Sequence, residues 1–298
     1  MSRKILYIIN PISGTRAKAD LQQFVEKETQ KRGIPYLIYP SVASGDYSFL
    51  HSIVREEGVT DVAIAGGDGT VSQVVNGLMD LDLRFGVIPC GSGNGLALAA
   101  GISKDPKKAL AVIFDGEPRA IDGFTLNGQF ACMLAGLGFD AKVAHEFSHQ
   151  SKRGLGTYAS LVSRNFFSAK PYLFIIENGG FRFPSEAFFI SIANSNQFGN
   201  NVTIAPEALL SDGKLDVVIV KKTAKPMLLF NLIRQVLAGR LKGLESSLHQ
   251  PIIYFQTRSL RIINKDQAPM HIDGDPANTP DELEIEIKPG CFRLICPA

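Results

Sequence analysis

In one glycine-rich turn of this chain a carboxylate stands among backbone groups suited to phosphate. The segment Ala65-Gly66-Gly67-Asp68-Gly69-Thr70 follows the apolar run Val62-Ala63-Ile64 and opens the helical stretch Val71–Gly77. Strand, glycine turn and helix together make a phosphate site, because glycines let N–H groups approach an oxyanion and the positive helix end adds attraction. Asp68 repels such a ligand unless a divalent cation lies between them, so the pattern points to a magnesium–nucleotide complex. No G-x-x-x-x-G-K-[ST] occurs, which excludes a Walker A loop.

Two further loops share this layout. Lys4–Ile9 runs into Asn10-Pro11-Ile12-Ser13-Gly14, and Phe85–Ile88 runs into Pro89-Cys90-Gly91-Ser92-Gly93-Asn94-Gly95 ahead of the helical Leu96–Ala100. In an open parallel sheet ligands sit at the carboxyl ends of the strands, so the three loops would line one crevice. Acidic turns follow downstream. Ala208–Asp216 sets two carboxylates around a glycine, a bend that can offer carbonyls and one carboxylate to a hard cation or can be a plain D-G turn. Met270-His271-Ile272-Asp273-Gly274-Asp275-Pro276 holds two more. Phosphoryl transfer to an alcohol needs a group that orients the hydroxyl and accepts its proton, and these carboxylates could serve; a solvated acidic turn is the plain alternative.

In this order NPISG, GGDGT, GSGNG, DGKLD and DGDP, spanning residues 10 to 276, resemble the diacylglycerol kinase catalytic-domain superfamily, which includes bacterial lipid kinases and sphingosine kinases. Short GGDG runs also occur in NAD kinases and phosphofructokinases; the ordered set is much more specific. The resemblance implies an open α/β nucleotide-binding domain of the NAD kinase and phosphofructokinase kind over residues 1–119. It implies a β-sandwich over 120–298, whose last strand near 290–298 could return to the first domain. ATP and Mg²⁺ are implied with it. The nucleotide residues carried over are Asn10, Ser13, Gly14, Ser41, Gly66, Gly67, Asp68, Gly69, Thr70, Gly91, Ser92, Gly93 and Asn94, and Arg153 is similar to an arginine directed at the phosphates. Magnesium is assigned to the Asp212 carboxylate with the Leu209 and Lys214 carbonyls. Asp273 and Asp275 form the candidate base region, with Asp68 as the alternative; the related kinases read DGE here, so Asp275 is one methylene shorter than their residue.

Periodicity agrees with two domains. Before residue 120, short apolar runs alternate with helical stretches at Ala19–Lys31, Phe49–Glu57 and Lys107–Phe114, the pattern of a βαβ sheet. After it the chain is mostly β: Asn127-Gly128 and Asn178-Gly179-Gly180 are hairpin signals, and Leu283–Ile287 alternates with period two. Helical stretches at Thr157–Phe167 and Met227–Gly239 interrupt it. A net charge of +2 with 20% charged residues gives no broad drive toward nucleic acid. No run of 18 apolar residues marks a spanning helix, and the four cysteines lack C-x-x-C spacing, so a reduced cytoplasmic enzyme is expected.

His145-Glu146-Phe147-Ser148-His149 matches the H-E-x-x-H signature of zinc proteases. No third ligand follows clearly, and a protease would leave the phosphate and acid motifs unexplained. The expected activity is therefore an ATP- and Mg²⁺-dependent lipid kinase at the inner face of the membrane, with diacylglycerol or a related lipid as acceptor and a homodimer left open. Lys142 falls where sphingosine kinases carry an acidic residue, which disfavours a sphingoid amine, whereas GSGNG resembles the sphingosine-kinase loop. Two alternatives remain at this point: an NAD kinase-like enzyme with a soluble acceptor, and a non-catalytic nucleotide or lipid sensor.

Overall fold

The computed structural model describes residues 3–11, 18–148, 150, 160–161, 164–165, 168–197, 205–222 and 251–298. The chain divides into two units, Met1–Ile121 with Gly290–Ala298, and Asp122–Pro289. The expected helices at 157–167 and 227–239 lie largely or wholly outside the described residues.

The first unit is α/β. Its strands β1 (Ile5–Ile9), β2 (Tyr36–Pro40), β3 (Asp61–Gly66) and β4 (Arg84–Pro89) alternate with helices α1 (Lys18–Lys31), α2 (Leu50–Glu56), α3 (Asp68–Leu78), α4 (Gly95–Ala99) and α5 (Pro106–Asp115). Every residue of β1 and β3 is buried, as a parallel sheet covered on both faces requires. The order is β4-β3-β1-β2, all parallel. The chain steps outward from β1 to β2 but in the opposite direction from β3 to β4, so the switch point lies between β1 and β3. Asp105 caps α5, accepting the Lys107 N–H at 2.9 Å, and Pro106 stands at the first helical position.

Asp61 is fully buried at the start of β3 and accepts from Arg3 at 3.0 Å and Arg84 at 2.6 Å. Arg3 also donates to the Ile113 and Phe114 carbonyls at the end of α5. One carboxylate thus ties the N-terminus, two adjacent strands and a helix end together.

The second unit is mainly antiparallel β. It holds the second half of β5 (Glu117–Leu126), with β6 (Gln129–Ala131), β7 (Leu134–Gly138), α6 (Phe139–Ser148), β8 (Tyr172–Asn178), β9 (Phe181–Ala193), β10 (Leu215–Lys221), β11 (Ile252–Thr257), β12 (Ser259–Asn264), β13 (Met270–Ile272) and β14 (Asp275–Ala277). The last strand, β15 (Glu282–Cys296), pairs with β12 through Glu282–Glu286, and its Arg293 and Leu294 pair with β4 of the first unit. The thirteen-residue β9 pairs with β8 through its first half and with both β7 and β10 through its second. Two-residue turns at Asn127-Gly128 and Gly179-Gly180 have both φ angles positive, the geometry that matches strand twist. Leu283, Ile285 and Ile287 face a core shared with Phe174, Ile192 and Val217.

Asp61→Ala would leave two arginines facing a buried gap. Because both guanidinium groups keep some solvent contact, the expected loss is about 2 kcal/mol, read from urea unfolding.

Candidate active site

The four parallel strands of the first unit end on one edge, at Ile9, Pro40, Gly66 and Pro89, and the glycine loops begin there. At the switch point the Asn10 N–H donates to the Ala65 carbonyl at 2.9 Å, and Asn10 Nδ2 donates to Thr70 Oγ1 at 2.8 Å. Gly67 caps α3 in an extended conformation, so the first amides of that helix lack intrahelical acceptors. A Cβ on Gly91 would stand 2.5 Å from Gly67 Cα, and one on Gly67 would stand 3.1 Å from Gly91 Cα. The second and third glycine loops therefore touch through their backbones, which only glycine allows. Asn94, left-handed at φ 57°, locks the third loop: its Oδ1 accepts the Gly91 N–H and its Nδ2 donates to the Gly91 carbonyl, each at 2.7 Å.

Asp68 has a local role in this arrangement. It is half-buried at the start of α3, and its Oδ1 accepts the Leu96 N–H at 3.2 Å, tying the second loop to α4. The Ser41 N–H donates to the Ile9 carbonyl at 3.0 Å, continuing the ladder beyond β2. Ser92 and Gly93 are half-exposed on the same edge. Ser13, Gly14 and Arg153 lie outside the described residues.

In the second unit the DGD segment forms a tight hairpin. Asp273 (φ 48°) and Gly274 (φ 88°) make the two-residue turn between β13 and β14, with Ile272 paired to Asp275. Asp273 is 5% exposed, and its carboxylate accepts the N–H groups of Cys132, Met133 and Leu134 at 3.1, 3.0 and 2.9 Å. Its own N–H donates to the Leu134 carbonyl at 2.8 Å. Those bonds make Asp273 the anchor of the hairpin, whereas Asp275, two residues on, is exposed to solvent.

The other acidic turn is held by a residue absent from the motif. Buried Asp122 accepts the Gly213 N–H at 2.7 Å and donates its own N–H to the Leu210 carbonyl at 2.7 Å. Asp212 Oδ1 accepts the Lys214 N–H at 3.1 Å, and Leu209 is exposed. Burial pushes the Asp216 carboxyl up to about 7, the Asp212 and Glu207 charges adding to the shift and a Gln256 hydrogen bond opposing it. Among the described residues no three His, Cys, Asp or Glu side chains are grouped to hold a metal. A set of two carbonyls and one carboxylate is of another kind, and it suits a hard cation that keeps several waters.

Residues 145–148 of the H-E-x-x-H segment lie on α6, and His145 and Glu146 pack within the unit. His145 Nε2 donates to the Met270 carbonyl at 2.8 Å, and Glu146 accepts from Arg164 at 3.0 Å and Asn165 at 2.7 Å. His149 is outside the described residues. Sequence reasoning missed Asp140 and His271, a buried pair 3.4 Å apart beneath the hairpin. The available signal was strand alternation: Met270 and Ile272 face the core, so His271 faces the other side.

Residues 4–126 match the model of the diacylglycerol kinase catalytic domain, and residues 134–296 match that of the YegS C-terminal NAD kinase beta sandwich-like domain. A diacylglycerol kinase of Bacillus subtilis is 32% identical over 276 residues, 90% of this chain and 88% of that protein. A protein of Chromohalobacter salexigens named a probable lipid kinase, YegS-like, is 29% identical over 266 residues, 85% of this chain and 81% of its own length. Among solved structures, a diacylglycerol kinase from Bacillus anthracis superimposes with a TM-score of 0.74 at 21% identity, covering 99% of this chain and 97% of that one.

Asp273→Ala would strand three buried N–H donors. Unfolding measurements should show a loss of at least about 2 kcal/mol, whereas Asp275→Ala should change stability by less than about 0.5 kcal/mol.

Proposed function

This chain belongs to the diacylglycerol kinase family, and from that membership we propose that it transfers the γ-phosphoryl group of ATP to the hydroxyl of a diacylglycerol-like lipid. One observation supports the nucleotide half of this reading: the Gly67–Gly91 backbone contact sets two glycine loops side by side at the N-terminus of α3, where the first amides have no intrahelical acceptor. The named relatives supply the acceptor class. Lys142, exposed on α6, would repel a sphingoid amine and so favours a neutral or anionic lipid. Such an acceptor resides in a membrane, so the enzyme works at its surface. No helix among the described residues is long and apolar enough to cross one.

The chain's residues divide the task as follows. Asn10, Ser41, Gly66, Gly67, Gly69, Thr70, Gly91, Ser92, Gly93 and Asn94 bind the nucleotide, joined by Ser13, Gly14 and Arg153. Asp68 keeps the second and third loops together and organises charge around the phosphates. Asp275 orients the lipid hydroxyl and takes its proton as the oxygen bonds to the γ-phosphorus; the bond to the β–γ bridging oxygen breaks and ADP departs. Asp273 positions Asp275. Magnesium supplies charge neutralisation for the transferring group, and we assign it the Asp212 carboxylate with the Leu209 and Lys214 carbonyls. The transfer is direct, with no phosphorylated side chain between donor and acceptor.

Incubating the enzyme with γ-labelled ATP and a mixture of diacylglycerol and NAD should place the label in the organic phase. Label confined to aqueous product would refute the lipid assignment. Asp275→Asn should lower kcat by roughly 10²-fold or more at unchanged ATP affinity, while Asp275→Glu, with the carboxylate kept, should stay within about tenfold of the parent. Gly91→Ala should part the two loops and weaken ATP binding at least about tenfold by calorimetric titration, because the added Cβ meets backbone that cannot yield locally.

A further inference from the structure

The base assigned to Asp275 stands on a hairpin whose tip Asp273 anchors, but its root is held by different residues. His271, 1% exposed, lies in the middle of β13 and turns away from the core that takes Met270 and Ile272, toward the side where α6 packs. There Asp140, in the first turn of α6 and 5% exposed, brings Oδ2 to 3.4 Å from His271 Nε2. Its other oxygen accepts the Ala141 N–H at 2.8 Å. Farther along the helix, His145 donates to the Met270 carbonyl. Helix α6 therefore grips two successive residues of β13, one through its side chain and one through its backbone.

Space is kept for this pair. Gly136 of β7 faces His271 in the strand register, and a Cβ there would collide with Asp140 Oδ2 and stand 2.5 Å from His271 Nε2. A bare position inside a buried strand costs packing and chain entropy, so it marks a neighbour that must come close. The pair is also a poor source of stability. Burial pushes the Asp140 carboxyl above its ordinary range, His271 opposing, and apolar side chains of similar volume would commonly serve stability as well or better. Direction is what an apolar pair would not supply: a carboxylate-to-imidazole contact fixes one rotation and one height of β13 against the helix, and apolar packing tolerates several.

We propose that the buried Asp140–His271 pair is a positioning device for Asp275, holding the root of the β13–β14 hairpin in the one placement from which the exposed carboxylate can serve an acceptor hydroxyl. The inference rests on the kinase reading for its chemical consequence and on the hairpin alone for its mechanical one. The two can fail separately. The pair touches no reactant; it acts through β13, which leads within two residues to the turn and then to Asp275.

The test compares the parent enzyme with Asp140→Asn, His271→Leu, His271→Gln and the double variant Asp140→Asn/His271→Leu. It measures steady-state kinetics with ATP and diacylglycerol together with amide hydrogen exchange. Each of the first two variants should lower kcat by roughly 10²-fold with KM for ATP within about twofold, because a shifted base loses reaction geometry rather than nucleotide affinity. The double variant should lose no more than the worse single one, as expected of two groups acting as a unit. His271→Gln, which keeps a polar side chain beside Asp140, should recover at least about tenfold over His271→Leu. Amides from Ile272 to Asp275 should exchange at least about tenfold faster in the Leu variant while those of β8 and β9 keep their rates. Unchanged exchange at the hairpin would overturn the proposal, and so would acceleration across the whole unit, which marks a general loss of stability. If the parent transfers no phosphate to lipid, the kinase reading fails and the exchange pattern alone decides the positioning claim.

Discussion

Three backbone N–H groups converging on the buried carboxylate of Asp273 are the constraint on which the second unit's acidic hairpin depends. Carboxylates are costly to bury unless fixed donors replace their water, and the Cys132–Leu134 segment supplies those donors from a point distant in sequence. The turn they hold is a two-residue one with both φ angles positive, so the strands on either side have little freedom in register. Asp275 inherits its place from that turn. Of two carboxylates two residues apart, one serves as an internal fastening and the other is left at the surface.

Backbone proximity solves the corresponding problem in the first unit. There, loops that follow different strands are brought close together at the backbone. Glycine at positions 67 and 91 lets two of those loops meet, Asn94 closes the third on itself, and Asn10 fastens the first to Thr70. Asp68, which seemed at odds with a phosphate site when read by charge alone, accepts the Leu96 N–H. Fixed dipoles of this sort need no reorganisation when charge moves, which is why positioning accounts for most of phosphoryl-transfer catalysis.

Much of this was legible in the sequence. The expected helices at 19–31, 49–57 and 107–114 agree within two residues at each end with Lys18–Lys31, Leu50–Glu56 and Pro106–Asp115, because apolar spacing and caps are local signals. The three glycine loops begin at the ends of adjacent parallel strands, as the strand–turn–helix order predicts. The hairpin turns at 127–128 and 179–180 were marked by Asn-Gly and Gly-Gly pairs, whose φ angles come out positive. What stayed hidden was the division of labour between Asp273 and Asp275, since both belong to one acidic turn and only the distant Cys132–Leu134 amides tell them apart. Asp122 was hidden for the same reason, its partners lying near residue 213. The Asp140–His271 pair was less visible still. Asp140 and His271 are far apart in sequence, and the pair forms only when α6 folds back over β13.

Direct transfer from nucleotide to lipid is the central claim, and it has a stereochemical consequence at phosphorus. The decisive measurement is the configuration of the phosphorothioate lipid formed from ATP that carries a chiral, isotopically labelled γ-thiophosphoryl group. A single in-line displacement, with Asp275 serving the attacking hydroxyl, predicts inversion. Retention would require two displacements through a phosphorylated enzyme and would contradict the account.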